Sequence, residues 1–288
     1  MESLKALGIY RELTNSPARE DDDALILRAV MGELDGLRIR TELLTPEEAD
    51  SADLNGWDLI VPMCESYSRL MRLKALPSPA QGGPLVLNPP DAVLSCYRTR
   101  MVDAFSKDRT ITFPPTQILP ASIPGPLAPT AFQAPSGFWV KRGDVHNTCS
   151  HDVVFARDAA EAEMIRADFA QREIAHLVLQ QHLDGDLIKF YGVGPGQWFT
   201  WFYHDPETAR RIPFVIDHLA ALAAKGAAAL GLEIFGGDAI VSPSGTVTLI
   251  DVNSWPSFAK VRGEACRQIA WKLSSRLRLL RGELADTR

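Results

Sequence analysis

The chain has 288 residues, 46% of them hydrophobic, and a formal net charge of −6 from 30 Lys and Arg against 36 Asp and Glu. That length supports a sizeable core and more than one minimal domain, so two or three compact lobes are expected. The acidic balance argues against general nucleic-acid binding, which relies on clustered Lys and Arg, and the four cysteines (Cys64, Cys96, Cys149, Cys266) are too scattered for a zinc site or a disulfide framework.

Reduced thiols fit a cytoplasmic protein, and that is the expected location. The opening MESLKALGIYRELT turns polar too soon for a signal peptide. The most apolar region, His218 to Phe235, holds Lys225, Glu233 and two glycines. It reads as a helix ending at Gly231 followed by a strand, and no membrane partner is expected.

Leu4 to Tyr10 is a strand, Asp22 to Leu34 a helix with acidic residues at its start, and Leu37 to Leu43 an alternating strand. DLIVPM, Asp58 to Met63, is a buried parallel strand, and the β-α-β order implies parallel pairing. The run PLVLNPP precedes a helix from about Asp91 to Phe105. Pro114 to Pro135, rich in Pro, Ala and Thr, reads as an irregular connection. Phe138 to Lys141 is a strand, Asp158 to Glu173 an amphipathic helix, and Leu177 to Gln181 and Leu187 to Val193 are strands. Ile212 to Leu230 is a helix, Gly237 to Asp251 a hairpin around SPSG, and Arg262 to Leu280 a terminal helix.

Three features carry chemistry. In LIDVNSWPSF, Leu249 to Phe258, the strand places Asp251 and Asn253 on one face just where it ends. If the hairpin loop centres on Pro243 and Ser244, Asp238 pairs across from Leu249 and joins that face. Two carboxylates and an amide oxygen are hard ligands that suit Mg²⁺; the same residues could instead satisfy a neighbouring loop. Lys141 ends the FWVK strand before a polar loop and could reach a phosphate, or be an ordinary strand-end lysine. LVLQQHLDGDLIKFYGVG holds two strands about a polar hinge with Asp184 and Asp186 beside Gly185, a nucleoside site or simply a tight turn.

The order strand–Lys–loop, strand–hinge–strand, helix, then a hairpin carrying Asp…Asp-x-Asn resembles the ATP-grasp superfamily over about Leu85 to Leu273. HNTCSHD, His146 to Asp152, is similar to a loop of the inositol tris/tetrakisphosphate kinases. KFYGVG and DVNSWPSF resemble that family too, and the latter also synapsin; ribosomal-protein glutamate ligase-like enzymes are a further resemblance. The resemblance implies an α/β (α+β) fold. A Rossmann-like pre-ATP-grasp lobe would span residues 1–108, a central ATP-grasp lobe 109–185 and a C-terminal lobe with the metal site 186–288. It places Mg²⁺ on Asp238, Asp251 and Asn253, and ATP phosphates on Lys141 and Lys189. Gln180, Gln181 and Leu183 would frame adenine, and Asp184 or Asp186 would take the ribose. His146 and His151, with Thr148 and Ser150, would lie on a loop over the phosphates as catalytic candidates, or His146 and His151 would be surface residues.

There are departures from the pattern. Many relatives carry a Lys in the helix after the NPP turn; NPPDAVLSCYRTRM has none, which leaves Arg98 or Arg100 to replace it. The first lobe lacks the cations that inositol kinases use, with Arg11 alone near the first strand end. Arg262, after SWPSF, is a candidate anion contact for the substrate. The resemblance therefore implies an ATP-dependent carboxylate–amine ligase working through an acylphosphate. The alternatives are a small-molecule kinase and a non-catalytic ATP-binding regulator. The partner in turnover would be a small-molecule acceptor, carboxylate or hydroxyl, with an amine co-substrate in the ligase case.

Overall fold

The computed structural model describes residues 3–15, 20–122, 127–145 and 148–282. The N-terminal apolar runs form a parallel sheet of order β2-β1-β3-β4, from β1 (Lys5–Ile9), β2 (Arg40–Leu44), β3 (Leu59–Pro62) and β4 (Leu85–Val86). Every residue of β3 is buried, as in a strand covered on both faces. Helix α1 (Glu20–Gly36) opens on Glu20, Asp21, Asp22 and Asp23, which complements its dipole. Its exit through Arg38, at φ 63°, delays β2 to Arg40, three residues beyond the expected start. Helices α2 (Pro46–Ser51), capped by Thr45 and Glu48, and α3 (Tyr67–Lys74) complete this lobe.

The single helix expected over 91–105 is two, α4 (Pro90–Ser95) and α5 (Arg98–Lys107). Tyr97 breaks it by taking an extended backbone, and its hydroxyl donates to the Glu65 carbonyl (2.8 Å). The break turns Arg98 at the head of α5 inward. The Pro-rich connection is not wholly irregular either, because β5 (Thr116–Pro120) pairs antiparallel with β8 (His176–Gln181). It is an edge strand, where proline is tolerated. The second sheet has the order β5-β8-β6-β7, with β6 (Phe138–Arg142) and β7 (Val153–Ala156). Helix α6 (Ala159–Gln171), N-capped by Asp158, covers one face, where Phe138, Val140, Leu177 and Leu179 pack with Ala162 and Phe169.

The third sheet, β10-β9-β11-β12, is antiparallel. It contains β9 (Asp186–Val193), a short turn α7 (Gly194–Gln197), the aromatic edge strand β10 (Trp198–Tyr203), β11 (Ile234–Val241) and β12 (Val247–Ser254). Helix α8 (Ile216–Leu230) packs Leu219, Ala223 and Ala227 on Phe190, Leu249 and Val252, so the opposite face of the sheet looks away from α8. It starts four residues later than expected because the Arg210 and Ile212 amides donate to Asp186 (2.8 Å each) and hold that segment on β9. Two segments cross between lobes. Ala92, Cys96, Met101 and Phe105 share a core with α8. Ile269, Ala270, Leu273 and Leu277 of α9 (Arg262–Leu280) share one with Ile26, Leu27 and Val30 of α1. The terminal helix, grouped by sequence with the third lobe, therefore packs into the first.

Candidate active site

The β11–β12 hairpin does not form in the expected register. Val241 pairs with Val247 across a turn closed by the Ser242 amide donating to Thr246 O (2.9 Å), and Ala239, not Asp238, pairs with Leu249. Regular pairing from there would set Ile250 across from Asp238 and turn Asp251 toward α8. A bulge between Asp238 and Ala239 absorbs Ile250, so Asp238 pairs with Asp251 instead. An extra residue in one strand re-aims the side chains beyond it. Leu249 goes into the core under α8 rather than sharing the carboxylate face. Asn253 sits opposite Gly236, on the same face as Asp251 by strand alternation. At Gly237 a Cβ would stand 2.3 Å from the Asp251 carbonyl oxygen, so this close approach requires glycine.

The facing wall comes from the second sheet. Trp139 pairs with Gln180 and Lys141 with Val178, so all four side chains share the face opposite the α6 core. The two sheets enclose a cavity of about 220 Å³. Its lining joins Arg98, Lys141, Asp238 and Asp251 to apolar surface from Trp139, Val153, Leu183, Leu187, Ile240 and Ile250. Such a mixture of apolar walls and a few convergent polar groups is typical of small-molecule sites.

The charges interlock. Lys189 Nζ lies 2.7 Å from Asp238 Oδ1. Arg98, 2% exposed, donates through Nη1 to the Arg142 carbonyl (3.1 Å) and brings Nη2 to 3.7 Å from Asp251. Lys141 Nζ donates to the Ile250 carbonyl (3.4 Å), the bulged residue. Burial pushes the Lys141 ammonium down to about 8, and Arg98 adds to the effect while Asp251 and Asp238 oppose it. Three cations meet two carboxylates, a surplus that favours an anionic ligand. Among the described residues no three His, Cys, Asp or Glu side chains cluster as a metal cage. Two carboxylates and one amide fit Mg²⁺, which takes few protein ligands and leaves positions for phosphate and water.

Not every expected residue reaches this cleft. Gln180, Gln181 and Leu183 line it. Asp184 is exposed and paired with Arg210 (2.9 Å), and Asp186 is consumed by the two backbone amides already described, so neither lines the cavity as the ribose reading required. A carboxylate beside a flexible glycine turn finds the nearest donors, and here they lie outside. His151 is exposed on a short turn and does not line the cavity; His146 lies outside the described residues. Residues 148–149 are tied down by Asp152, fully buried, which accepts from Thr148 N (2.6 Å), Thr148 Oγ1 (2.8 Å) and Cys149 N (3.2 Å) and pairs with Arg172. Arg262 pairs with Asp22 at the head of α1 (2.5 Å) and does not line the cleft.

Residues missed by sequence reasoning also shape the site. Trp139 and His182 both line the cleft, and the Trp139 indole donates to His182 Nδ1 (3.3 Å). The one available signal was an aromatic two residues before the strand lysine. Arg11 donates to the carbonyls of Trp255 (2.6 Å) and Ser254 (3.4 Å) while facing Glu65 (3.3 Å) and Asp23 (3.6 Å). Asn88 donates to Ser254 Oγ (2.9 Å) and Ile234 O (2.7 Å) and accepts from the Glu233 and Ile234 amides. Trp255 lies at φ 45°, a strained position for a bulky residue that these contacts help to hold.

No protein-family profile matches the chain, and no curated protein matches it by sequence. Solved structures do. A RimK domain ATP-grasp protein from Sphaerobacter thermophilus is 14% identical, over 93% of this chain and 99% of its own, with a TM-score of 0.67. D-cycloserine synthetase is 15% identical over 94% and 99%, with a TM-score of 0.64. The D-alanine–D-alanine ligase of Bacillus anthracis, complexed with ATP, is 12% identical over 98% and 100%, with a TM-score of 0.70. The likeness spans nearly the whole of each chain, and the fold of this chain, an N-terminal parallel sheet followed by two antiparallel sheets, is the ATP-grasp fold.

Proposed function

We propose that the protein is a Mg-ATP-dependent carboxylate–amine ligase. The observation that carries this reading is the pairing of Asp238 with Asp251 across the bulge, facing Lys141 and Arg98 in one cleft. ATP would lie with its phosphates among Lys141, Lys189 and Arg98. Asp238, Asp251 and Asn253 would hold Mg²⁺, which when bound neutralises charge on the transferring phosphoryl group. The acceptor carboxylate attacks the γ-phosphorus and ADP leaves, giving an acylphosphate. An amine then attacks the acyl carbon, expels inorganic phosphate and loses its proton, forming the amide. Lys141, desolvated and in its charged form, offsets charge that develops on the phosphoryl oxygens.

A second cavity, about 490 Å³, opens beside Arg11 and is lined by Tyr10, Glu12, Asp23, Arg28 and Arg69 among others. Its charges of both signs suit an acceptor that carries both a carboxylate and an amine. Arg11 joins it to the backbone two residues beyond Asn253. The ATP-grasp neighbours named as ligase and synthetase support the same reading. The test is mass spectrometry of products after incubation with Mg-ATP and a metabolite extract. A product joined through a new amide, with release of ADP and phosphate that requires both carboxylate and amine, is expected. A stable phosphorylated product formed without any amine would replace the ligase with a kinase, and no turnover despite Mg-ATP binding would favour a regulator.

A further inference from the structure

The hinge between the second and third sheets carries a side-chain arrangement that the ligase reading does not use. His182 follows Gln181 at the end of β8 and lines the cleft. Its Nδ1 accepts the indole N–H of Trp139 at 3.3 Å. Phe155 stands edge-on to the imidazole, with centroids 5.3 Å apart and planes at 72°, and Trp139 lies at 6.3 Å. The ring is therefore boxed by two aromatics as well as oriented by a hydrogen bond. A neutral imidazole that accepts at Nδ1 carries its proton on Nε2. Nε2 has no partner among the described residues. The neighbouring carboxylates are engaged elsewhere, Asp184 by Arg210 and Asp186 by backbone amides, so they offer this part of the cleft no acceptor.

We infer that His182 is a nucleotide-contacting residue, oriented by Trp139 so that its Nε2–H donates to an acceptor atom of the bound nucleoside, a ribose oxygen or a base nitrogen. The inference rests on the nucleotide reading of the cleft. It makes Trp139 a positioning residue, since the indole fixes the tautomer of the histidine without itself supplying the donated proton. It also makes the hinge a donor toward the nucleoside, where the sequence alone pointed to acidic acceptors.

Calorimetric titration of the full chain with Mg-ATP tests it. Wild-type protein that fails to bind Mg-ATP would sink the nucleotide reading itself. Given binding, His182→Phe keeps the ring packing but has no donor, and should weaken Mg-ATP about three- to tenfold with an unchanged Tm. His182→Gln, whose amide restores a donor at similar reach, should recover part of that loss, and Trp139→Phe should show a smaller one, about two- to threefold. If the His182→Phe penalty disappears with 2′-deoxy-ATP, the acceptor is the ribose; if it persists, the acceptor is the base or the other hydroxyl, and both outcomes support the donor role. Equal affinity of His182→Phe and wild type for ATP overturns it. Should His182→Phe not fold, nitrogen-15 spectra of wild-type imidazoles decide. The Nε2–H tautomer, with its proton resonance displaced at nucleotide saturation, is expected, and the Nδ1–H tautomer or no displacement overturns the inference.

Discussion

Lys141 shows how one side chain answers to burial and to ligand at once. It is 6% exposed, and its ammonium is held down to about 8 from an ordinary 10.5. For a base lowered on folding, the cost of keeping it charged is fully present below about 8 and fades as pH rises from there toward 10.5. Lys141→Met should therefore be more stable than wild type at pH 7, by up to ~3 kcal/mol. The gap should close between pH 8 and 10, as read by denaturant melts. The same variant should bind ATP more weakly. Wild-type binding above pH 8 should take up a proton as phosphates recharge the amine, seen as a buffer-dependent binding enthalpy that the variant lacks. Asp251→Asn removes a carboxylate proposed to hold Mg²⁺ that also faces buried Arg98, and should cut Mg-dependent ATP turnover roughly a hundredfold or more. Retention of wild-type turnover would remove Asp251 from the metal set.

At the scale of elements, the hairpin and the loop after β6 matter most. The bulge at Ile250 decides whether Asp251 faces the cleft or α8, a choice no alternation pattern reveals because the strand breaks its own period there. The segment 148–152 is held by Asp152. Burial alone would raise its carboxyl, yet hydrogen bonds from Thr148 and Arg172 outweigh that and hold it at about 2. A carboxyl lowered on folding contributes stability above its ordinary 3.8 that is lost as pH falls through about 2. Asp152→Asn should cost about 2 to 4 kcal/mol between pH 5 and 8 and less below pH 4. Faster hydrogen exchange at the Thr148 and Cys149 amides should accompany it, and unchanged exchange would show that the loop is ordered by other contacts.

Across the whole molecule, the N-terminal lobe grips the end of β12. Arg11 from the end of β1 and Asn88 from beyond β4 both bind the backbone or side chain of Ser254, and Arg11 also holds Trp255. Arg11 sits against Glu65, whose carboxyl is raised to about 6 by burial, with Arg11 opposing and Glu12 and Asp23 adding to the rise. Arg11→Met would leave those carboxylates buried without their cation, at a cost of about 3 to 5 kcal/mol at pH 7.5. A carboxyl raised on folding imposes its cost above its folded value and sheds it as pH falls toward its ordinary 4.5. The deficit of the variant should thus shrink between pH 7.5 and 5, measured by urea unfolding. A pH-independent deficit would assign the loss to packing rather than charge.

The sequence by itself determined the order of β1, α1, β2, β3, β6, α6, β8, β9, α8, the β11–β12 hairpin and α9, the parallel pairing of the first lobe, and the residue types of that hairpin. Those follow from local periodicity and strand alternation, which are written in consecutive residues. Elements α2, α3, β5, β7 and β10 were not read from it. It placed Lys141, Gln180, Gln181, Leu183, Arg98, Asp238 and Asp251 among the residues that meet in one cleft, and the structure brings these together. Only the tertiary structure decided the bulge, the break at Tyr97 that aims Arg98, and the edge strand within the Pro-rich connection. It also turned Asp184, Asp186 and Arg262 away to partners of their own and brought Arg11 to the end of β12. Each of these depends on a donor, acceptor or neighbouring strand tens or hundreds of residues distant. A polar side chain points to whichever such partner the fold delivers, and the sequence near it does not say which one that is.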